Sequence, residues 1–88
     1  MSYIYKITND VNNKVYIGKT DRDIQQRFAE HIYDSGRKDY GNRPLLDAIN
    51  KYGAKHFSIE QIEECSKEEA ADREIYWIKF FNSYEKIF

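Results

Sequence analysis

A glutamate stands where the sequence pattern calls for an apolar residue. The apolar residues of segment 70–81 recur at helical spacing and therefore share one face: Ala70, Trp77, Ile78 and Phe81. Glu74 falls in the middle of that face. A buried carboxylate is costly unless it is paired or coordinates a metal. Position alone therefore leaves three interpretations open: a metal ligand, an ion pair at the edge of the core, or an apolar stripe that is narrower than these residues indicate.

A second pair of reactive side chains stands one helical turn apart. Arg27 and His31 flank an apolar stripe formed by Ile24, Phe28 and Ile32, which places both at the boundary between core and water. A guanidinium there can bind a phosphate through its fork of donors, and an imidazole can move protons near neutral pH. The alternative is an ordinary boundary pair, with the stem of Arg27 covering apolar surface. Taken alone, the spacing favours the ordinary interpretation.

Two tyrosines and a glycine near the N-terminus complete the candidate set. Tyr5 and Tyr16 lie in apolar alternating segments, where aromatic residues are common for structural reasons alone. Gly18 follows Tyr16 at a strand end, where a glycine marks either a turn or the close approach of a backbone or ligand. Taken alone, these three residues do not indicate a functional site.

The first half of the chain predicts the elements that position these side chains. An antiparallel hairpin is predicted near the N-terminus. Its first strand alternates over Tyr3–Ile7, its turn residues are Asn9–Asn13, and its second strand returns over Val15–Gly18. A helix is expected from an N-cap at Thr20 to about Asp34. After a polar loop, a second helix over Leu45–Tyr52 has Pro44 in its first turn and ends at Gly53.

The second half predicts one strand and one helix. His56–Ile62 has a strand pattern whose alternation slips between Ile59 and Ile62, so a bulge or twist is expected there. Ser66 and Glu69 form a capping box that opens the last helix, which runs to about Phe81. The order ββααβα predicts an α+β fold, a small three-stranded antiparallel sheet flanked by three helices, with residues 1–88 forming a single domain.

Composition limits the class of protein. At 88 residues with 41% hydrophobic and 16% aromatic content, the chain is suited to one ordered domain. No apolar run approaches the roughly 20 residues that cross a bilayer, so no membrane association is expected. The single cysteine, Cys65, excludes an internal disulfide, is expected to pack in or near the core, and fits a cytoplasmic location. A net charge of −1 implies that phosphate contacts alone give weak affinity for DNA, or that a partner supplies it.

In their order along the chain, these residues resemble the GIY-YIG nuclease family. The two tripeptides that name the family match Tyr3-Ile4-Tyr5, with tyrosine in place of the first glycine, and Tyr16-Ile17-Gly18. The family's arginine, followed one helical turn later by histidine or tyrosine, matches Arg27 and His31. Its metal-binding glutamate in the last helix matches Glu74. The resemblance covers nearly the whole chain.

The resemblance implies a metal-dependent DNA endonuclease. Glu74 is expected to hold one Mg²⁺ (or Mn²⁺) ion per site, and Arg27 to neutralise charge on the scissile phosphate. Tyr5 is expected to activate the water with help from Tyr16 and His31, and the reverse assignment of the two tyrosines stays open. Three further residues at or near the ends of the hairpin strands are expected to contact DNA, although the lysines also fit an ordinary surface: Gly18, Lys14 and Lys19.

One departure from the family pattern leaves an alternative function open. Members carry an asparagine shortly after the last helix, whereas here Asn82 is the nearest and comes earlier than the pattern places it. Reduced activity is therefore expected, and the alternative is a catalytically impaired module that retains the fold and binds DNA or protein. Target specificity is expected to come from a fused domain or a partner protein.

Overall fold

The computed structural model describes residues 1–37, 43–81 and the backbone of 86–87. The strands are β1 (Ser2–Asn9), β2 (Val15–Thr20), β3 (Phe57–Cys65) and β4 (Lys86–Ile87), and the helices are α1 (Ile24–Ser35), α2 (Pro44–Tyr52) and α3 (Ala70–Phe81). A 3₁₀ turn, Ala54–His56, connects α2 to β3. Within the described residues, every helix falls short of the length and apolarity that a bilayer crossing requires. Asn82 lies outside the described residues.

Strand β1 is the centre of the sheet and carries the first candidate tyrosine. The strand order is β3-β1-β2-β4, with β1 antiparallel to both β2 and β3. The predicted three-stranded antiparallel sheet and ββααβα order are therefore confirmed. The two residues of β4 add a short parallel pairing to β2, opposite Ile17 and Gly18. A two-residue strand is too short to produce the alternation by which strands are recognised in a sequence.

The irregularity expected in β3 is a shift in its pairing with β1. Ile4 pairs with Glu63, whereas the next residue, Tyr5, pairs with Gln61. Ile62 is therefore the extra residue, which accounts for the slip in the hydrophobic pattern between Ile59 and Ile62. The shift falls beside Tyr5, so the candidate site lies where the ladder is locally distorted.

Helices cover both faces of the sheet and create two cores. On the face carrying Tyr5, the core is formed largely by side chains from β1, β2, α2 and β3: Tyr5, Ile7, Tyr16, Leu45, Leu46, Ile49 and Phe57. On the opposite face, Ile4, Ile17 and Cys65 pack with Ala70 of α3, as expected for this cysteine. Because helices cover both faces, the neighbours Ile4 and Tyr5 are both buried although they point to opposite faces, whereas Lys6 and Thr8 are only partly buried.

Two predicted helix starts were placed too early. Helix α1 begins at Ile24, with Asp23 as N-cap, because the Thr20 hydroxyl instead accepts the Arg22 N–H in the preceding turn. Helix α3 begins at Ala70, and the predicted capping box of Ser66 closes a turn just before it. Each signature forms its hydrogen bonds, but in turns that precede the helices.

The end of α2 agrees with the sequence, and the start of β3 does not. Gly53 adopts a positive φ of 92° directly after α2, a conformation that side chains rarely adopt. His56, predicted to start the third strand, belongs instead to the 3₁₀ turn, and β3 begins at Phe57. Its ring nitrogen Nδ1 lies 2.9 Å from an Asp10 carboxylate oxygen, which ties this turn to the β1–β2 hairpin.

Candidate active site

A phenol and an imidazole meet in the interior. The hydroxyl of Tyr5, on the central strand, lies 3.0 Å from Nε2 of His31, on α1. Neither residue has any exposed surface. The two residues lie far apart in the chain, so the contact depends on the packing of α1 against the sheet. It links a potential proton donor to a potential proton acceptor.

His31 was predicted at the boundary of the core, and that prediction is wrong because the buried face of α1 is rotated. The stripe that faces the sheet includes Ile24 and Phe28 and continues to His31, a further turn along, while Ile32 is only partly buried. Arg27 takes the boundary position instead, with 16% of its side chain exposed. The apolar residues in the sequence did not reveal that a histidine completes the buried stripe.

Burial keeps His31 neutral. Loss of hydration, together with the positive charges of Arg27 and Arg43, lowers the pKa of His31 to about 4. At neutral pH the ring is therefore an uncharged imidazole whose Nε2 can accept the Tyr5 hydroxyl proton in a hydrogen bond. In that arrangement the ring proton resides on Nδ1, which has no hydrogen-bond partner among the described residues.

The same environment keeps Tyr5 protonated. The pKa of Tyr5 is raised to about 12, chiefly by burial and in part by the negative charge of Glu74, against the opposing effect of Arg27 and Arg43. Tyr5 therefore lies within the electrostatic range of three charged side chains that come from other parts of the fold, Arg27, Arg43 and Glu74. Tyr5 is therefore a neutral hydrogen-bond donor in the resting protein.

Arg27 is held by an acidic neighbour on its own helix. Its Nη1 donates a hydrogen bond to Oε1 of Glu30 at 3.0 Å. The Glu30 carboxylate also accepts hydrogen bonds from Nη1 and Nη2 of Arg22, at 2.8 and 2.9 Å. Hydrogen bonds from the two arginines hold the pKa of Glu30 below its usual range. Nε and Nη2 of Arg27 take no part in this ion pair, and the guanidinium also lowers the pKa of Tyr5 through its charge and a side-chain hydrogen bond. Arg27 therefore lies between Glu30 and the phenol, where a guanidinium can also bind a phosphate.

The carboxylate of Glu74 is completely buried on α3. Among the described residues, no group of three or more histidine, cysteine, aspartate or glutamate side chains forms a ready-made metal cage. A single hard carboxylate fits Mg²⁺, which commonly takes one or two protein ligands and completes its octahedron with water and substrate phosphates. Both oxygens of Glu74 are shielded from solvent, the setting in which a carboxylate gains most from a cation. The donor chemistry therefore fits such an ion.

The remaining predicted residues are distributed over the hairpin. Tyr16 is buried on the same face as Tyr5, directly opposite Ile7, and Gly18 is buried directly opposite Tyr5. Lys19 lies near the end of β2 that leads to α1, whereas Lys14 lies in the turn at the other end of the strand. At about 3.3 Å per residue the two lysines are on the order of 15 Å apart. Contact of Gly18 and these lysines with DNA stays a prediction.

Several residues around the site were not singled out by sequence. Arg43 immediately precedes α2 and acts electrostatically on both Tyr5 and His31. Arg22 and Glu30 form the ion pairs beside Arg27. The signal available for Arg22 and Glu30 was weak, because charged residues in turns and on exposed helix faces are common. For Arg43 the only signal was its place before the proline of α2.

The fold and the site together define a small α+β domain whose phenol, imidazole, guanidinium and carboxylate share one environment. The family model described as the GIY-YIG catalytic domain matches residues 1–87. The chain belongs to the GIY-YIG family.

Similar proteins include phage and viral proteins. The chain is 36% identical over 84 residues to intron-associated endonuclease 1 of Enterobacteria phage T4, covering 93% of this chain and 34% of that protein. It is 34% identical over 64 residues to uncharacterized protein 019R of Invertebrate iridescent virus 6, covering 73% of this chain and 22% of that protein. The chain thus spans about a third or less of the length of these two relatives.

A solved structure shares the fold. The catalytic domain of homing endonuclease I-TevI superposes with a TM-score of 0.80 at 34% identity, covering 96% of this chain and 91% of that one. The fold expected from the sequence is therefore the fold of a known endonuclease domain.

Proposed function

We propose that this chain is a metal-dependent DNA endonuclease domain. The observation that carries the proposal is the buried Tyr5–His31 hydrogen bond, within the electrostatic reach of Arg27. The charge of Glu74 acts on the same phenol from a third element. Membership of a family with endonuclease relatives supports the same reaction class. DNA is the proposed substrate.

Each residue has a proposed role. Arg27 binds the scissile phosphate and neutralises the charge that develops on its oxygens. Glu74 holds one Mg²⁺ or Mn²⁺ ion, which when bound supplies Lewis-acid stabilisation of a phosphoryl oxygen and of the leaving 3′-oxygen. Tyr5 acts as base in its phenolate form: it first loses its own proton to solvent and then takes the proton of the attacking water, while His31 orients the Tyr5 oxygen. Tyr16, buried on the same face, assists Tyr5 or exchanges roles with it.

The pKa of Tyr5 limits how this base can work. With a pKa of about 12, ionising the phenol at pH 7 costs about 7 kcal/mol, at 1.36 kcal/mol for each unit. Direct transfer of its proton to His31, whose pKa is about 4, costs about 11 kcal/mol. His31 therefore acts as a positioning residue, and ionisation of Tyr5 must rely on positive charge at the site, of which Arg27 and Arg43 are the protein's own source.

Further properties are proposed from the partial match to longer relatives. Because the chain spans only part of those proteins, we propose that target specificity comes from another domain or a partner protein. We also propose a cytoplasmic location, and reduced activity of these 88 residues on their own.

Removal of the carboxylate tests the central proposal. Glu74→Gln and Arg27→Ala are each expected to abolish Mg²⁺-dependent cleavage of supercoiled plasmid, measured by agarose electrophoresis with and without EDTA. Lys55→Ala, on an exposed residue of the 3₁₀ turn, is the matched control and should cleave normally. Normal cleavage by a folded Glu74→Gln protein would contradict the metal assignment. Binding of DNA by the wild type without cleavage in either Mg²⁺ or Mn²⁺ would support the binding module instead.

Single removal of each phenol identifies the base. The Tyr5→Phe or Tyr16→Phe protein that lacks the base should lose about 10²–10⁴-fold in cleavage rate, the usual contribution of general-base catalysis. The other variant should lose much less. Rates would be measured over a range of pH, with circular dichroism as the control for folding. Equal and mild losses would show that neither phenol is the base.

A further inference from the structure

A cleft opens beside Arg27, between the turn that follows β2 and the turn that precedes α3. Its volume is about 360 Å³. The first wall is formed by Lys19, Arg22 and Arg27, and the second by Lys67 and Ala70. With Ser2 of β1, the lining residues come from three separate parts of the chain. One of them, Arg27, is the residue proposed to bind the scissile phosphate.

The charge of the cleft differs from that of the protein. Four of the eight lining residues are cationic, namely Lys19, Arg22, Arg27 and Lys67, and one, Asp21, is acidic. The whole chain carries a net charge of −1, so positive charge is concentrated here. Glu30 offsets part of the charge of Arg22 and Arg27. Lys67 forms no ion pair within the part of the chain that the structure describes, so its charge remains available to an anion.

The cleft also lies close to the candidate metal ligand along α3. Ala70, which lines the cleft, stands one helical turn before Glu74, and residues at this spacing have neighbouring Cβ atoms about 5–6 Å apart. Arg27 and Lys67 line the same cleft. A strand whose scissile phosphate lies at Arg27 therefore passes beside the Lys67 wall.

We propose that this cleft is a second phosphate subsite, in which Lys67 and Lys19 bind the DNA phosphate adjacent to the scissile one. The proposal rests on the proposed nuclease function and adds to it a residue, Lys67, from the turn before α3. Arg22, held by Glu30, lines the same subsite and contributes its charge. Such contacts position the strand and add affinity that is independent of base sequence.

The salt dependence of DNA binding tests the subsite. Binding of a fluorescein-labelled 20-base-pair duplex would be followed by anisotropy in EDTA, from 50 to 200 mM KCl, for wild type and Lys67→Ala. Loss of one phosphate contact should reduce the slope of log K against log salt by about 0.9. Lys67→Arg should retain the slope, and Lys55→Ala, outside the cleft, should leave both slope and affinity unchanged.

The outcomes separate this subsite from the proposed reaction. If the wild type binds and cleaves DNA but Lys67→Ala shows the same salt slope as the wild type, the subsite alone is overturned. A wild type that neither binds nor cleaves DNA would overturn both. In cleavage assays the expected signature of Lys67→Ala is a raised KM with kcat nearly unchanged, because the contact is made equally in substrate and transition state. A fall in kcat at constant KM would contradict a subsite that only binds DNA.

Discussion

Burial of His31 has a consequence for stability as well as for catalysis. In the unfolded chain its imidazole takes up a proton near pH 6.5, whereas in the folded protein the pKa is lowered to about 4. Between these values the unfolded state holds one more proton than the folded state. Acid therefore favours unfolding, and the free energy of unfolding falls as the pH drops from 6.5 towards 4.

The expected size of this effect can be measured. Wild type should lose about 3 kcal/mol of unfolding free energy between pH 7 and pH 4 through His31 alone, as a difference of about 2.5 pKa units implies. Urea unfolding at several pH values would be compared with His31→Gln, which keeps an amide near Tyr5 but does not titrate. Gln26→Ala, on an exposed and non-titrating residue of the same helix, is the control and should retain the wild-type pH dependence. Identical pH dependence in wild type and His31→Gln would contradict the buried neutral imidazole.

At the residue scale the sequence located the candidate side chains but not their environments. The spacing of Arg27 and His31 placed them one turn apart on the first helix, and the helical pattern singled out Glu74. Periodicity could not show that His31 is buried, because a histidine adds nothing to an apolar stripe. The hydrogen bond to Tyr5 and the effect of Arg43 on both residues arise from tertiary packing, which short-range patterns do not describe.

At the scale of elements, α3 is fixed to β3 by a polar contact next to Glu74. The Glu63 carboxylate accepts hydrogen bonds from Arg73 Nε at 2.8 Å and from Trp77 Nε1 at 2.7 Å. Although partial burial raises the pKa of Glu63, the hydrogen bonds from Trp77 and Arg73 hold it below its usual range. Because Arg73 directly precedes Glu74, this contact fixes the rotation of α3 that turns Glu74 inward.

Loss of that contact should destabilise the helix. Glu63→Ala is expected to lower the unfolding free energy by about 2 kcal/mol, since hydrogen bonds to charged groups contribute about 1.5–3 kcal/mol. Glu64→Ala, on the next residue of β3 and exposed, is the matched control and should change it by less than about 0.5 kcal/mol. Urea unfolding followed by tryptophan fluorescence measures both. Equal values for the two variants would show that Glu63 does not hold α3 in place.

Element order was predictable, and element boundaries were less so. The hairpin, α2 and the slip in β3 follow from alternation, proline and glycine placement, all of which are local signals. The starts of α1 and α3 were misplaced because Thr20 and Ser66 bond to nearby backbone N–H groups in turns, as they would in a helix cap. Strand β4 was not predicted, because it forms by long-range pairing with β2 and two residues are too few to show a strand pattern in the sequence.

At the scale of the whole molecule, the number of active sites determines whether one or both strands of a DNA duplex are cut in a single binding event. Each chain contributes one Tyr5–His31 pair and one Glu74, so under the proposed function one chain would hydrolyse one phosphodiester bond in a binding event. Cleavage of both strands of a duplex therefore requires two sites or two successive events.

The isolated chain should therefore nick supercoiled plasmid before it makes linear DNA. Open circles are expected to appear first, at a rate proportional to enzyme concentration, with linear product arising later from nicked circles. Quantified gel time courses over a tenfold range of enzyme, together with sedimentation of the protein at the same concentrations, would measure this. Heat-denatured protein and Glu74→Gln serve as controls for contaminating nuclease. Linear DNA formed without an open-circle intermediate, at a rate rising with the square of enzyme concentration, would show instead that two chains act together on one duplex.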